Sequence, residues 1–249
     1  MNCLQKEIKK VFAIGGSGDF AFNLLNFLNL EEIILCDKKP MAEAVVDFKK
    51  MLFKCFNFAE IEGLFLKNEK EIFEKFLNAP APRKIIPFES MLRGAGASPL
   101  IKTLKKSNLF YNESFCHLKQ INEYLIYLQN EEKYEAMRAQ LGKIKFIAGD
   151  FSEKLKSFPD NYFNLVYVSN ILDSNDYSAD NVDCLRTIKQ KSSRGGLLLA
   201  VIQDKVDKQI DFIKQNGFEL VKKEAHKFNF ITSIKGHYYF SFVLFQKEE

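Results

Sequence analysis

The chain has 249 residues, 47% hydrophobic and 27% charged, which is enough apolar material for a substantial core and too much for a disordered or fibrous polypeptide. Its 36 basic and 32 acidic residues leave a net charge of +4, a slight excess that argues against nucleic acid, whose binding surfaces cluster many cations. The N-terminal stretch MNCLQKEIKKVFAIGG breaks its apolar pieces with charges, and no run approaches the roughly 20 apolar residues of a membrane span, so a cytoplasmic chain without such a span is expected.

Val11 to Ile14 reads as a short strand, followed by the glycine cluster Gly15-Gly16-Ser17-Gly18-Asp19 and a helical pattern with Phe22, Leu25 and Leu28 at turn spacing. Glu32 to Cys36 is apolar enough for a strand buried on both faces, and it ends at Asp37. Pro40 then opens a helix in which Val45, Phe48, Leu52, Cys55 and Ala59 make an inward stripe. Between Glu62 and Gly142 the alternation stops. Helical patterns such as Glu69 to Leu77 and Lys119 to Gln129 occur there without a pair of strands, and Arg83 to Lys106 carries six basic residues against the single acid Glu89. Residues 62–142 therefore read as a helical insert capping a site on the domain formed by 1–61 and 143–249.

Alternation resumes with a strand at Lys143 to Ala148, the turn Gly149-Asp150-Phe151, and a strand at Phe163 to Ser169. A helix from Asn181 to Gln190, a strand from Gly196 to Ile202 and a helix from Val206 to Gln215 follow. This pattern predicts an α/β fold with a mostly parallel, Rossmann-like sheet. The last two strands, Gly217 to Val221 and His237 to Phe245, have no helix between them, so they should form an antiparallel hairpin. The five cysteines are an odd, widely spaced set with no Cys-x-x-Cys pair, which favours buried thiols over disulfides and points to no metal site.

Backbone amides in a glycine loop before a helix attract anions. Gly16-x-Gly18-x-x-Ala21 also fits the dinucleotide fingerprint, with Asp37 about where a ribose-binding acid stands. Both a nicotinamide cofactor and S-adenosylmethionine contain such a ribose, so the first 40 residues allow either. The terminal hairpin resembles the ending of the class I S-adenosylmethionine-dependent methyltransferase fold, whereas dinucleotide domains continue with parallel strands, so that resemblance implies S-adenosylmethionine. The expected cofactor contacts are Gly15, Gly16, Ser17, Gly18, Asp19, Asp37, Lys38, Asp150, Phe151 and Ser169. Asp150 would meet an adenine amino group while the ring lies on Phe151. Each has a plain structural use as well: Gly15 to Asp19 as a strand-to-helix turn, Asp37 as a helix cap, and Asp150 as a turn former.

Two segments resemble one family in particular. They are Asp37-Lys38-Lys39-Pro40-Met41-Ala42-Glu43-Ala44-Val45-Val46-Asp47-Phe48-Lys49 and Val168-Ser169-Asn170-Ile171-Leu172-Asp173, with Gly63-Leu64-Phe65-Leu66 as a looser third. They look like the bacterial betaine-lipid enzymes, which transfer the 3-amino-3-carboxypropyl group of S-adenosylmethionine to diacylglycerol, on a class I methyltransferase fold. Asp37, Pro40, Ala44, Asp47 and Lys49 match the family's post-strand pattern. Lys39 and Ala42 depart from it, where Asn and Gln would be expected. The resemblance covers roughly Ile14 to Lys49 and Tyr162 to Ile202, and it implies S-adenosylmethionine as cofactor with a small or lipid-like acceptor.

The Ser169 to Asp173 stretch also has a physical rationale, since carboxyl ends of parallel strands line the ligand crevice of open α/β sheets. Asn170 could donate to a carboxylate or orient an acceptor, and Asp173 could hold an amino group or take the nucleophile's proton. His117, in the insert with Tyr111 and Cys116, is either a histidine base or plain surface or core packing. Phe53, Phe56, Phe58, Phe65, Phe73 and Phe76 either line an acceptor site or are ordinary core, and Arg93-Gly94-Ala95-Gly96-Ala97-Ser98 either grips an anionic group or is a solvated turn. Simple methyl transfer, an NAD-binding oxidoreductase and a non-catalytic S-adenosylmethionine-binding module are the competing readings.

Overall fold

The computed structural model describes residues 8–16, 18–26, 29–65, 125–172, 179–202, 205–229 and 237–248. Numbered among these, the elements are β1 (Lys10–Ile14), α1 (Asp19–Leu24), β2 (Glu32–Asp37), α2 (Pro40–Cys55), α3 (Phe58–Phe65), α4 (Glu131–Arg138), β3 (Ile144–Ala148), α5 (Phe151–Lys156), β4 (Phe163–Val168), α6 (Ala179–Lys191), β5 (Ser192–Ile202), α7 (Val206–Gln215), β6 (Phe218–Asn229) and β7 (His237–Lys247). They divide into two compact units, whose described parts are 8–16, 29–40, 142–172, 179–202, 205–229 and 237–248 in the first and 18–26, 41–65 and 125–141 in the second.

The first unit is a seven-stranded sheet in the order β3-β2-β1-β4-β5-β7-β6. The five strands β3, β2, β1, β4 and β5 are parallel, and β7 runs antiparallel to both β5 and β6. The expected hairpin is therefore present. Val11, Phe12 and Ala13 of β1 and Ile33 and Leu35 of β2 are fully buried, so neighbouring residues that point to opposite faces are both out of water. On one face Phe12, Ile34, Cys36, Val166, Val168, Leu198 and Ala200 share a core with Leu155 of α5, Leu185 and Ile188 of α6, and Ile213 of α7.

The hairpin is longer than its hydrophobic pattern implies. β6 has 12 residues, but Glu219 to Glu224 are exposed on both faces, so they show no alternation to read. This edge strand carries a bulge between Leu220 and Lys222, and the bulge and the lysines protect it from pairing with another chain.

In the second unit α2 ends at Cys55, and α3 begins with a reciprocal cap in which Asn57 and Glu60 each accept the other's backbone N–H at 2.9 Å. The single stripe from Val45 to Ala59 is thus split between two helices, and Ala59 is exposed. The ring of Phe53 packs edge-on to Phe22 (centroids 5.1 Å apart), Tyr127 (5.4 Å) and Tyr134 (6.0 Å). Tyr134 donates its hydroxyl to the carbonyls of Phe53 (3.1 Å) and Phe56 (2.7 Å), satisfying the C-terminal end of α2. Phe53 is therefore core. Among the described residues no helix is long and apolar enough to cross a membrane.

Candidate functional site

The carboxyl ends of β1, β2 and β3 are tied together beyond their ladders. Gly15 donates its N–H to the Cys36 carbonyl at 2.8 Å, and Gly149 donates to the Asp37 carbonyl at 3.0 Å. The Asp37 carboxylate then reaches into the glycine loop. Its Oδ2 accepts the Gly16 N–H at 3.1 Å and its Oδ1 accepts the Lys39 N–H at 2.9 Å. Gly16 sits at φ +46, and a side chain built there would meet nothing within 4 Å, so the backbone is open to close approach. Gly15 is glycine for a different reason: a Cβ would fall 2.7 Å from Cε2 of Phe146.

Phe146 belongs to a cross-strand row that the register defines. Phe146 pairs with Leu35, Leu35 with Ala13, and Ala13 with Tyr167. One step further toward the carboxyl ends the same face carries Ala148 and Asp37, which pair, then Gly15 and Ser169 by strand alternation. Burial pushes the pKa of the Tyr167 phenol up, and a hydrogen bond with Ser169 partly offsets that. Phe146 and Tyr167 were not among the expected site residues. Their only signal in the sequence is a position one or two residues before the end of a strand, and ordinary core aromatics share it.

On the other side of Asp37, Asp150 follows Gly149. Its Oδ1 accepts the N–H groups of Ser152 (2.9 Å) and Glu153 (3.2 Å), capping α5. Phe151 is 6% exposed and stands edge-on to Phe12, with centroids 4.9 Å apart. Its ring is committed to the core, so the aromatic side chain beside the glycine loop in the first unit is Phe146. Cys36 directs its Sγ toward the Gly149 carbonyl at 3.5 Å. Burial pushes its thiol up to about 11, with the charges of Asp150 and Asp37 adding to the effect. Cys184 is shifted the same way, mainly by burial.

In the second unit Gly18 is left-handed, at φ 78, and precedes α1 without a side-chain cap. Asp19 is bound inside this unit. Lys49 donates to both of its oxygens at 2.9 Å, and Tyr127 donates to Oδ1 at 2.6 Å.

The ends of the parallel strands therefore bring Gly15, Gly16, Asp37, Lys38, Asp150 and Ser169 together, with Lys38 exposed. Ser17, Asp173, His117, Phe73, Phe76 and Arg93 to Ser98 lie outside the described residues, as does the side chain of Asn170.

No protein-family model and no curated protein matches the chain. Among solved structures it is similar to spermidine synthase from Thermotoga maritima, at 11% identity and a TM-score of 0.44, over 96% of this chain and 53% of that one. It is also similar to the N-methyltransferase NodS from Bradyrhizobium japonicum in complex with S-adenosyl-L-homocysteine, at 10% identity and a TM-score of 0.46, over 97% and 79% of the two chains. A putative RNA methyltransferase from Pyrococcus horikoshii gives 14% identity and a TM-score of 0.48, over 98% and 76%. The chain spans about half the length of the spermidine synthase. The fold class rests on strand order and direction: a Rossmann-like α/β sheet of the class I methyltransferase type, mostly parallel, with one antiparallel strand near its edge.

Proposed function

We propose that the protein is an S-adenosylmethionine-dependent transferase that moves the 3-amino-3-carboxypropyl group to a small or lipid-like acceptor, or closes that group on itself, with release of methylthioadenosine. The observation that carries this reading is the placement of the Asp37 carboxylate at the end of β2, with one oxygen on Gly16 and the other on Lys39. A carboxylate offers about four acceptor positions, so two backbone N–H groups leave capacity for the two hydroxyls of a ribose. Gly16 leaves space beside it. Asp150 spends Oδ1 on capping α5, and its second oxygen suits an adenine amino group. The antiparallel β7 favours a sulfonium nucleoside over a nicotinamide dinucleotide.

When bound, the sulfonium brings its own leaving group: the acceptor's lone pair bonds to the γ-carbon, the carbon–sulfur bond breaks with its electrons on sulfur, and the acceptor's proton passes to a base or to solvent. The protein's part is to orient the two reactants and exclude water. Aminocarboxypropyl transfer is preferred over methylation on the resemblance at Asp37 to Asp47 and Val168 to Asp173. Lys49 carries no weight in that choice, since its bond to Asp19 explains its presence.

Incubating the purified protein with S-adenosylmethionine and candidate acceptors, and identifying the nucleoside released, tests the reading. Methylthioadenosine is expected. Adenosylhomocysteine would instead establish methyl transfer, and binding without either product would favour a binding module. Calorimetry showing affinity for NAD but none for S-adenosylmethionine would replace the reading with an oxidoreductase.

A further inference from the structure

α1 has six residues, whereas helices shorter than about 12 residues are marginal on their own in water. Its first turn has no side-chain cap. Gly18 has no freedom to accept one, because a Cβ there would lie 2.9 Å from Cγ2 of Val46. Bonds from distant segments replace local capping. Lys49, 1% exposed, holds both oxygens of Asp19, and Tyr127, fully buried, holds Oδ1. Ile126 donates its N–H to Asn23 Oδ1 at 2.9 Å, and Gln140 donates to the Leu25 carbonyl at 2.7 Å. The start, middle and end of the helix are each held by residues from 126–140.

Burying a lysine is a poor way to gain stability alone, because apolar side chains of similar volume often serve as well. The location explains the expense. Asp19 directly follows the glycine loop in the chain, so what fixes Asp19 also fixes the end of that loop. Lys49 neutralises the Asp19 carboxylate, and Tyr127, whose phenol burial holds well above its ordinary pKa, donates to it as well.

We infer that Asp19, Lys49 and Tyr127 are positioning residues that fix and neutralise the Gly18–Asp19 turn, and that Asp19 does not itself contact the ligand. The ligand half of this inference rests on the proposed S-adenosylmethionine site; the structural half does not.

The test uses the full chain, with calorimetric affinity for S-adenosylmethionine and amide hydrogen exchange of residues 18–25 as separate readouts. Tyr127→Phe should speed exchange in 18–25 by on the order of tenfold without changing that of β4 and β5, and should weaken binding several-fold. Lys49→Arg, which keeps the cation, should stay closer to wild type than Lys49→Met in both readouts. Asp19→Asn combined with Lys49→Met, which removes both charges, should bind within about threefold of wild type. Unchanged exchange in Tyr127→Phe overturns the inference whatever the ligand result. Loss of binding in the double variant with normal exchange also overturns it, because Asp19 would then touch the ligand. If the wild type binds no S-adenosylmethionine while exchange responds as expected, the proposed function fails and the positioning of the turn stands.

Discussion

The Asp37 carboxylate and the Gly16 amide, 21 positions apart, meet at 3.1 Å across the ends of two parallel strands. The second carboxylate oxygen holds the Lys39 amide, so one side chain sets both the start of the glycine loop and the turn that leaves β2. Asp37→Ala is expected to weaken S-adenosylmethionine binding by about 1–3 kcal/mol through lost charged hydrogen bonds. Calorimetry measures this, and unchanged affinity removes Asp37 from the site.

Gly15 is closed to any side chain by Phe146, whose Cε2 stands 2.7 Å from a Cβ there. Gly15→Ala forces the ring or the strand end to move and should cost about 1–3 kcal/mol, as overpacking does. Gly15→Ala with Phe146→Leu should cost less than the sum of the two single changes. Additive costs in urea unfolding would show that the two positions do not press on each other.

The Tyr134 hydroxyl is the donor for carbonyls at the end of α2. Tyr134→Phe leaves a buried carbonyl without that partner and should lower stability by about 1–3 kcal/mol. The denaturation midpoint should fall with an unchanged m-value. An unchanged midpoint would show that water takes over the hydroxyl's role.

Cys36 gives a pH dependence of definite sign. Its folded thiol holds its proton up to about 11, against 9.0 for the ordinary thiol. Between these values the unfolded chain loses the proton first, so the folded state binds more protons and stability falls as pH rises. The contribution is complete below pH 9 and is lost through about 11. The melting temperature should decline over that window, and Cys36→Ala should make the decline shallower without abolishing it, because Cys184 is shifted in the same direction. An identical slope in wild type and Cys36→Ala would exclude Cys36 as a source.

The strands β1 and β2, the glycine loop and the acid at Asp37 were legible because both signals are local: continuous apolar runs mark strands buried on two faces, and glycine is needed where backbone takes positive φ. Phe146 was not legible as a neighbour of Gly15, because β3 enters the sheet 131 residues later and only register brings the two together. The packing of Phe151 was not legible for the converse reason: its place after Asp150 suggested a face for a ring, and the helix that Asp150 caps sets it beside Phe12 in the core.

The amino-acid order alone thus determined the sheet class, the antiparallel ending and the backbone openings at the end of β1, because hydrophobic period and glycine act over a few residues. Tertiary structure alone decided what each acid does: Asp37 turns to the loop, Asp150 caps a helix, and Asp19 is taken by a lysine 30 positions away and a tyrosine 108 away. A carboxylate takes whichever donors the fold brings within about 3 Å, and that proximity is a property of packing, which no short stretch of sequence contains.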